Sequence, residues 1–280
     1  MTATLTTRDH YIATVREYDA IANYACEMST RLSGRRVVEK HLSYAETIFT
    51  KLVCHCVSLR RLVPTFRAGT TELWDIGAVC AIARTLIEAF DALAYIALHQ
   101  ISPEERELRM LVWELHGQER RLSMLGDTGA IGRDVDAVRN AANALRDATM
   151  AHALFGQLST KAQKDISLGK APAFTISQKE CNAASGINHD FHNVATKFLS
   201  QYVHTLPFAL SQLTLAHAGD PEALQVISMA LRYSMPFIAK AATGIGELWP
   251  DIKIEPTEDQ RFAMDVWSAL AENGVKGLRE

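Results

Sequence analysis

The run from Ile76 to Leu98 reads IGAVCAIARTLIEAFDALAYIAL and holds only three charged residues, Arg84, Glu88 and Asp91. Placed on a helix at about 100° per residue, Arg84, Glu88, Asp91 and Tyr95 fall on one line, extended by Gly77 and Ala81 before it and His99 after it. Val79, Ile82, Leu86, Ile87, Phe90, Leu93 and Ile96 fill the rest of the cylinder. That apolar arc is too wide for a helix resting on a core from one side. The stretch therefore predicts a central helix with a narrow polar stripe.

The same run is long enough to span a bilayer, but Arg84, Glu88 and Asp91 would each cost about 2.5 to 3.5 kcal/mol to insert. A membrane span, and a membrane partner, are not expected. Across 280 residues, 48% hydrophobic and 22% charged side chains are those of a globular chain, and a net charge of -3 with a pI near 6.4 gives no general attraction for nucleic acid. Five cysteines (Cys26, Cys54, Cys56, Cys80 and Cys181) are an odd number scattered through helical patterns. The opening MTATLTTRDH has neither the basic nor the apolar region of an export signal. Both observations predict a reducing, cytoplasmic location.

Helix signals recur along the chain. Thr7 caps a first helix that carries Ile12, Val15, Ile21 and Ala25 at helical spacing and stops at Gly34; a second runs from about Arg36 to Leu62 and is closed by Pro64. Thr70 or Thr71 is expected to cap the central helix, with Glu72 in its first turn. Ser102-Pro103-Glu104-Glu105 has capping-box spacing with proline at the first helical position, and predicts a helix to about Leu125. Gly126 to Gly132 is a turn, and Asp134 opens an alanine-rich helix that fades near Gly156. Periodicity then lapses from Gln157 to Asn188, the best stretch for a long loop, with room for a short helix or strand. It resumes from His189 to Ala218, with a kink at Pro207. Asp220-Pro221-Glu222 opens a helix containing Pro236, and Thr257 with Gln260 opens the last one, which ends at Gly274. No segment alternates in the manner of a strand. The expectation is an all-α, single-domain antiparallel bundle of about seven to nine helices over residues 1–280.

HDFHNVATKFLSQYVHTLPFALS repeats the logic of the central helix. His189, Asn193, Thr196, Ser200, His204 and Ser211 share one face, and Phe191, Val194, Phe198, Tyr202, Ala209 and Leu213 the other. Two such helices can set an Arg/Glu stripe opposite a Ser/His stripe across the interior. Ala83-Arg84-Thr85-Leu86-Ile87-Glu88 with Tyr95-Ile96, and downstream Leu199-Ser200-Gln201-Tyr202-Val203-His204, resemble a bacterial all-helical family known only as a domain of unknown function. That family pairs R-x-x-x-E on one helix with L-S-x-x-x-H on a later one. The resemblance runs from the second helix to His204 and implies a helical fold with Arg84, Glu88, Ser200 and His204 as site positions. It implies no reaction.

Arg84 and Glu88 at i, i+4 make an ion pair worth a few tenths of a kcal/mol if the strip is exposed. If it is enclosed, Arg84 can bind a phosphate or carboxylate while Glu88 orients it or meets His204, whose ordinary pKa near 6.5 suits proton transfer. Ser200 and His204 do not make a nucleophile, since no G-x-S-x-G occurs. A secondary face carries Arg109, Trp113, His116 and Arg120, where the tryptophan can stack on a ring and the arginines take phosphates. Helical nucleases of the HEPN class carry an Arg and a His four to six residues apart. Arg146 with His152, Arg109 with His116 and Arg36 with His41 approach that spacing, without the asparagine usual there. The first pair sits some 240° apart on a regular helix. His189-Asp190 resembles the doublet of helical metal-dependent phosphohydrolases, with His152 and Asp220 as nominees to complete it, and Cys54-His55-Cys56 is poor as a zinc site. No metal and no cofactor is called for.

The function expected is binding of a small polar ligand, anionic or nucleotide-like, by Arg84, Glu88, Asp91, Tyr95, Ser200 and His204. The alternatives are a HEPN-like ribonuclease of a defence or toxin system, the only reading with a nucleic-acid partner, and a structural or interaction protein without a ligand. A homo-oligomer is compatible with each.

Overall fold

Thr7 does what its position predicts: its hydroxyl accepts the His10 N–H at 3.2 Å and opens helix α1 (Arg8–Leu32). A computed structural model describes residues 6–35, 39–66, 72–204, 207–214 and 217–274 of the chain. There α1 is followed by α2 (Lys40–Leu62), α3 (Ile76–Leu93), α4 (Pro103–Asp127), α5 (Arg133–Ala151), α6 (Thr160–Ser167), α7 (Gln178–Ala184), α8 (His189–Val203), α9 (Pro207–Leu213), α10 (Pro221–Leu248) and α11 (Glu258–Asn273). These are eleven helices among the described residues, eight of them fifteen residues or longer, close to the seven to nine expected, and no strand occurs among the described residues. The fold is all-α. Among the described residues no helix is long and apolar enough to cross a membrane.

The chain forms two compact units, Met1–Leu98 with Asn182–Glu280, and His99–Cys181. In the first, α3 packs against α2, α8 and α10, and so is covered on three sides as its composition requires. Helix α1 lies against α2, α10 and α11. It turns three tyrosines inward, and each phenol donates to a main-chain carbonyl: Tyr11 to Pro64 (2.6 Å), Tyr18 to Cys56 (3.0 Å) and Tyr24 to Ile254 (3.1 Å). Pairing the hydroxyl makes a buried tyrosine affordable. In the second unit α4 and α5 pack together around Leu108, Val112, Leu115 and Ala142, with Ile166 of α6.

Several local expectations change. The predicted start of α2 at Arg36 and the caps Thr70 and Thr71 lie outside the described residues; within them α2 begins at Lys40. Asp75 caps α3 by accepting the Ala78 N–H at 2.8 Å. Glu72 stands before the helix, where it accepts the Thr65 and Phe66 N–H groups at 2.8 and 3.0 Å. The expected loop from Gln157 to Asn188 holds α6 and α7, both too short to show periodicity. Pro207 starts a new helix instead of kinking a long one. By contrast Ser102 with Pro103, Asp220 with Pro221, and the Thr257/Gln260 capping box stand as read.

The largest change is at the end of α3. The helix widens into a π-helical turn over Ala94–Leu98. Tyr95, expected on the polar stripe, lies in this turn and is fully buried. Helix α10 passes this turn at Gly244, where a Cβ would stand 2.6 Å from Leu98 Cδ1. Gly244→Ala is expected to cost about 1–2 kcal/mol, less than a backbone clash because Leu98 can turn aside. Urea unfolding of the two proteins measures it.

Candidate functional site

The two polar stripes do lie on neighbouring helices. Asp91, near the end of α3, meets His192, near the start of α8, while a Cβ on Gly77 would lie 3.4 Å from the Tyr202 carbonyl. The helices therefore run antiparallel. His192 Nε2 donates to Asp91 Oδ2 at 3.0 Å, with the imidazole 5% and the carboxylate 12% exposed.

That bond ties the α3 stripe to α8. Arg84 Nη1 lies 3.0 Å from Glu88 Oε1, an ion pair without hydrogen-bond alignment, and Glu88 is 57% exposed. Ser200 donates its hydroxyl back to the Thr196 carbonyl at 2.7 Å, and His204 is the exposed residue that ends α8. Among the described residues neither Arg84 nor Glu88 bonds to Ser200 or His204. The predicted set Arg84, Glu88, Asp91, Tyr95, Ser200 and His204 is thus dispersed: a half-buried guanidinium with an exposed partner, a largely covered carboxylate, a buried phenol, a self-satisfied hydroxyl and an exposed terminal histidine. His192 was missed because His189, Asn193 and His204 offered a longer alignment. The spacing His192, Thr196, Ser200 at i, i+4, i+8 carried the signal.

The secondary face divides as well. Arg109 is 4% exposed, and donates to Glu105 Oε1 at 2.6 Å and to His99 Nδ1 at 2.9 Å. A guanidinium only donates, so Nδ1 of His99 carries the lone pair and this imidazole is neutral. Burial, then the charges of Arg109 and Arg106, push the His99 pKa down to about 4. Trp113 meets the Phe174 ring edge-on at 5.7 Å. His116 and Arg120 line a cavity together with Lys170.

The nuclease pair is not assembled. Arg146 donates to Glu119 at 2.9 Å, whereas His152 ends α5 and lies 3.8 Å from Glu107. His189 is held between Asn182 and Asn193, both at 3.0 Å. Among the described residues no three His, Cys, Asp or Glu side chains are grouped to hold a metal ion.

A concave site nonetheless exists in the first unit. Helices α1, α8, α10 and α11 enclose a groove of about 500 Å³. Phe191, Tyr233 and Trp267 give it aromatic walls, with Met229 and Leu270 beside them. Two charged groups enter this lining from its polar edge. Glu17 Oε2 accepts the Trp267 indole N–H at 2.9 Å. Arg232 donates from Nε and Nη2 to Thr14 Oγ1 at 3.3 and 3.1 Å, and among the described residues no carboxylate lies within 4.0 Å of it. Thr14 itself passes its proton to the His10 carbonyl, 3.0 Å away. Pro236, four residues on in α10, lacks the N–H that would close on the Arg232 carbonyl, so the helix ladder opens at the turn facing the groove.

No protein-family model, no curated protein and no solved structure matches this chain.

His99 yields a prediction on stability. Its folded pKa lies below the unfolded value of 6.5, so the unfolded chain takes up the proton first. Stability present above about pH 6.5 is lost as the pH falls towards 4, by up to about 3 kcal/mol. Urea titrations across this window should show a shallower loss in His99→Gln.

Proposed function

We propose that this protein binds a small anionic molecule with an apolar ring or short aliphatic body in the groove between α1, α8, α10 and α11. The observation that carries the reading is Arg232. A guanidinium has five N–H donors, and a hydroxyl takes only two of them. In a mainly apolar recess a cation is ordinarily balanced by a carboxylate. Here that partner is supplied by the ligand.

The dimensions narrow the class. About 500 Å³ suits a drug-sized molecule and is small for a peptide segment. One cation matches one carboxylate or one monophosphate better than a polyphosphate, so among nucleotide-like molecules those with a single charged group fit. Glu17 has one oxygen engaged by the indole, which leaves the other to accept an N–H or O–H of the ligand. The chemistry is that of recognition: no nucleophile paired with a base lines the groove, and no turnover is proposed.

The reading is tested by thermal-shift and calorimetric titration with aromatic and medium-chain carboxylates. At least one class should raise the melting temperature saturably, and Arg232→Met, which keeps the aliphatic stem, should weaken it about 10- to 100-fold, or about 1.4 to 2.7 kcal/mol. Glu88→Gln on the α3 stripe should leave the affinity unchanged. Equal binding to the wild type and Arg232→Met would refute the assignment.

A further inference from the structure

The second unit has a cavity of its own, about 450 Å³, built from one face of α4 and the turn that follows α6. His116, Glu119, Arg120 and Ser123 of α4, at relative positions 0, 3, 4 and 7, share that face. Gly169, Lys170 and Ala171 supply the other wall.

Glu119 is the pillar of this arrangement. Its side chain is 8% exposed, with Oε1 accepting from Arg146 Nη2 at 2.9 Å and Oε2 from the Ala171 N–H at 2.6 Å. The carboxylate is therefore neutralised by Arg146 and its oxygens are committed to holding the turn. Gly169 completes the turn at φ +74°, a left-handed conformation in which a Cβ would also lie 3.3 Å from the Arg146 guanidinium. A second tie fixes the histidine: His116 Nδ1 lies 2.7 Å from the Ala171 carbonyl. A carbonyl only accepts, so Nδ1 carries the proton and Nε2 carries the free lone pair in the neutral ring. Two anchors on one residue, Ala171, hold the wall against α4.

What remains uncommitted in the lining is positive. Arg120 and Lys170 have no carboxylate within 4.0 Å among the described residues, and His116 Nε2 has no protein partner there. Two cations facing one recess, beside a negative group already neutralised, leave an excess of positive charge at one place in a chain whose overall charge is -3.

We propose that this cavity is a second binding site, for the phosphate group of a small phosphomonoester. Arg120 and Lys170 bind two of its oxygens, and Nε2 of His116 contacts a third, donating to the dianion once the imidazole is protonated or, from the neutral ring, accepting from the P–OH of the monoanion. A phosphate dianion matches two cations, whereas a carboxylate leaves one unanswered. The site is independent of Arg232 and of the groove ligand.

The probe is inorganic phosphate, titrated into the full-length, 15N-labelled protein at constant ionic strength. Saturable shifts are expected at the Gly169, Lys170 and Ala171 amides and at His116 Nε2, with a dissociation constant below about 1 mM. Lys170→Gln and Arg120→Gln, both at exposed positions, should each weaken binding about tenfold with an unchanged melting temperature, and Arg232→Met should leave it intact. Shifts that grow linearly without saturation, or that survive both glutamine substitutions, would overturn the proposal. If either variant melts early, the same titration with phenyl phosphate on wild-type protein decides: no saturable shift at those four positions refutes the site.

Discussion

Burying α3 on three sides would strand the carboxylate of Asp91, and the imidazole of His192 is what meets it. A charge-assisted hydrogen bond of this kind contributes about 1.5–3 kcal/mol, and losing the imidazole would leave a buried acid with no such donor. The bond also sets the antiparallel alignment of α8 on α3. From it a connected aromatic cluster runs towards the groove. The His192 ring meets Phe237 edge-on at 5.8 Å, Phe237 stacks on Phe191 at 6.1 Å, and Phe90 of α3 closes on Phe237 at 5.5 Å. Phe191 and Tyr233 are in turn walls of the groove. The polar anchor of α3 and the groove wall thus share one packed set of side chains.

Groove and cavity differ in the chemistry they present. The groove sets one guanidinium against aromatic walls, which favours a molecule with a large apolar part and one charge. The cavity of the second unit sets two cations and an oriented imidazole around a recess, which favours a compact, doubly charged group. In each place the neighbouring carboxylate is occupied: Glu17 by an indole N–H, Glu119 by Arg146 and a main-chain N–H. In the cavity Arg146 cancels that negative charge and leaves an excess of cationic side chains, whereas in the groove Glu17 keeps its charge.

Much of the fold was legible because it is encoded locally. Thr7, Ser102-Pro103, Asp220-Pro221 and Thr257/Gln260 mark helix starts by chemistry that acts within four residues. The π-turn was not legible: Ala94-Tyr95-Ile96-Ala97-Leu98 contains nothing that a regular helix would refuse, and the turn packs against α2 and α10, elements remote in sequence. The site followed the same divide. Periodicity placed Asp91 on a stripe and predicted a polar partner helix, but the choice among His189, His192 and His204 depends on which face α8 turns to α3. Periodicity alone does not fix that rotation. Arg232, however, was within reach. It is the lone charge in VISMALRYSMPFIA, an apolar run comparable to the one around Arg84, and the same reasoning applied there would have singled it out.

The claim at the centre of this account is that Arg232 takes its counter-charge from a ligand. Co-crystallisation with 4-bromobenzoate addresses it directly, since the bromine can be located by its anomalous scattering. The account predicts one bromine among Phe191, Tyr233 and Trp267, with the carboxylate hydrogen-bonded to the Arg232 guanidinium. An empty groove at saturating concentration, or a carboxylate seated away from a guanidinium still bound only to Thr14, would contradict it.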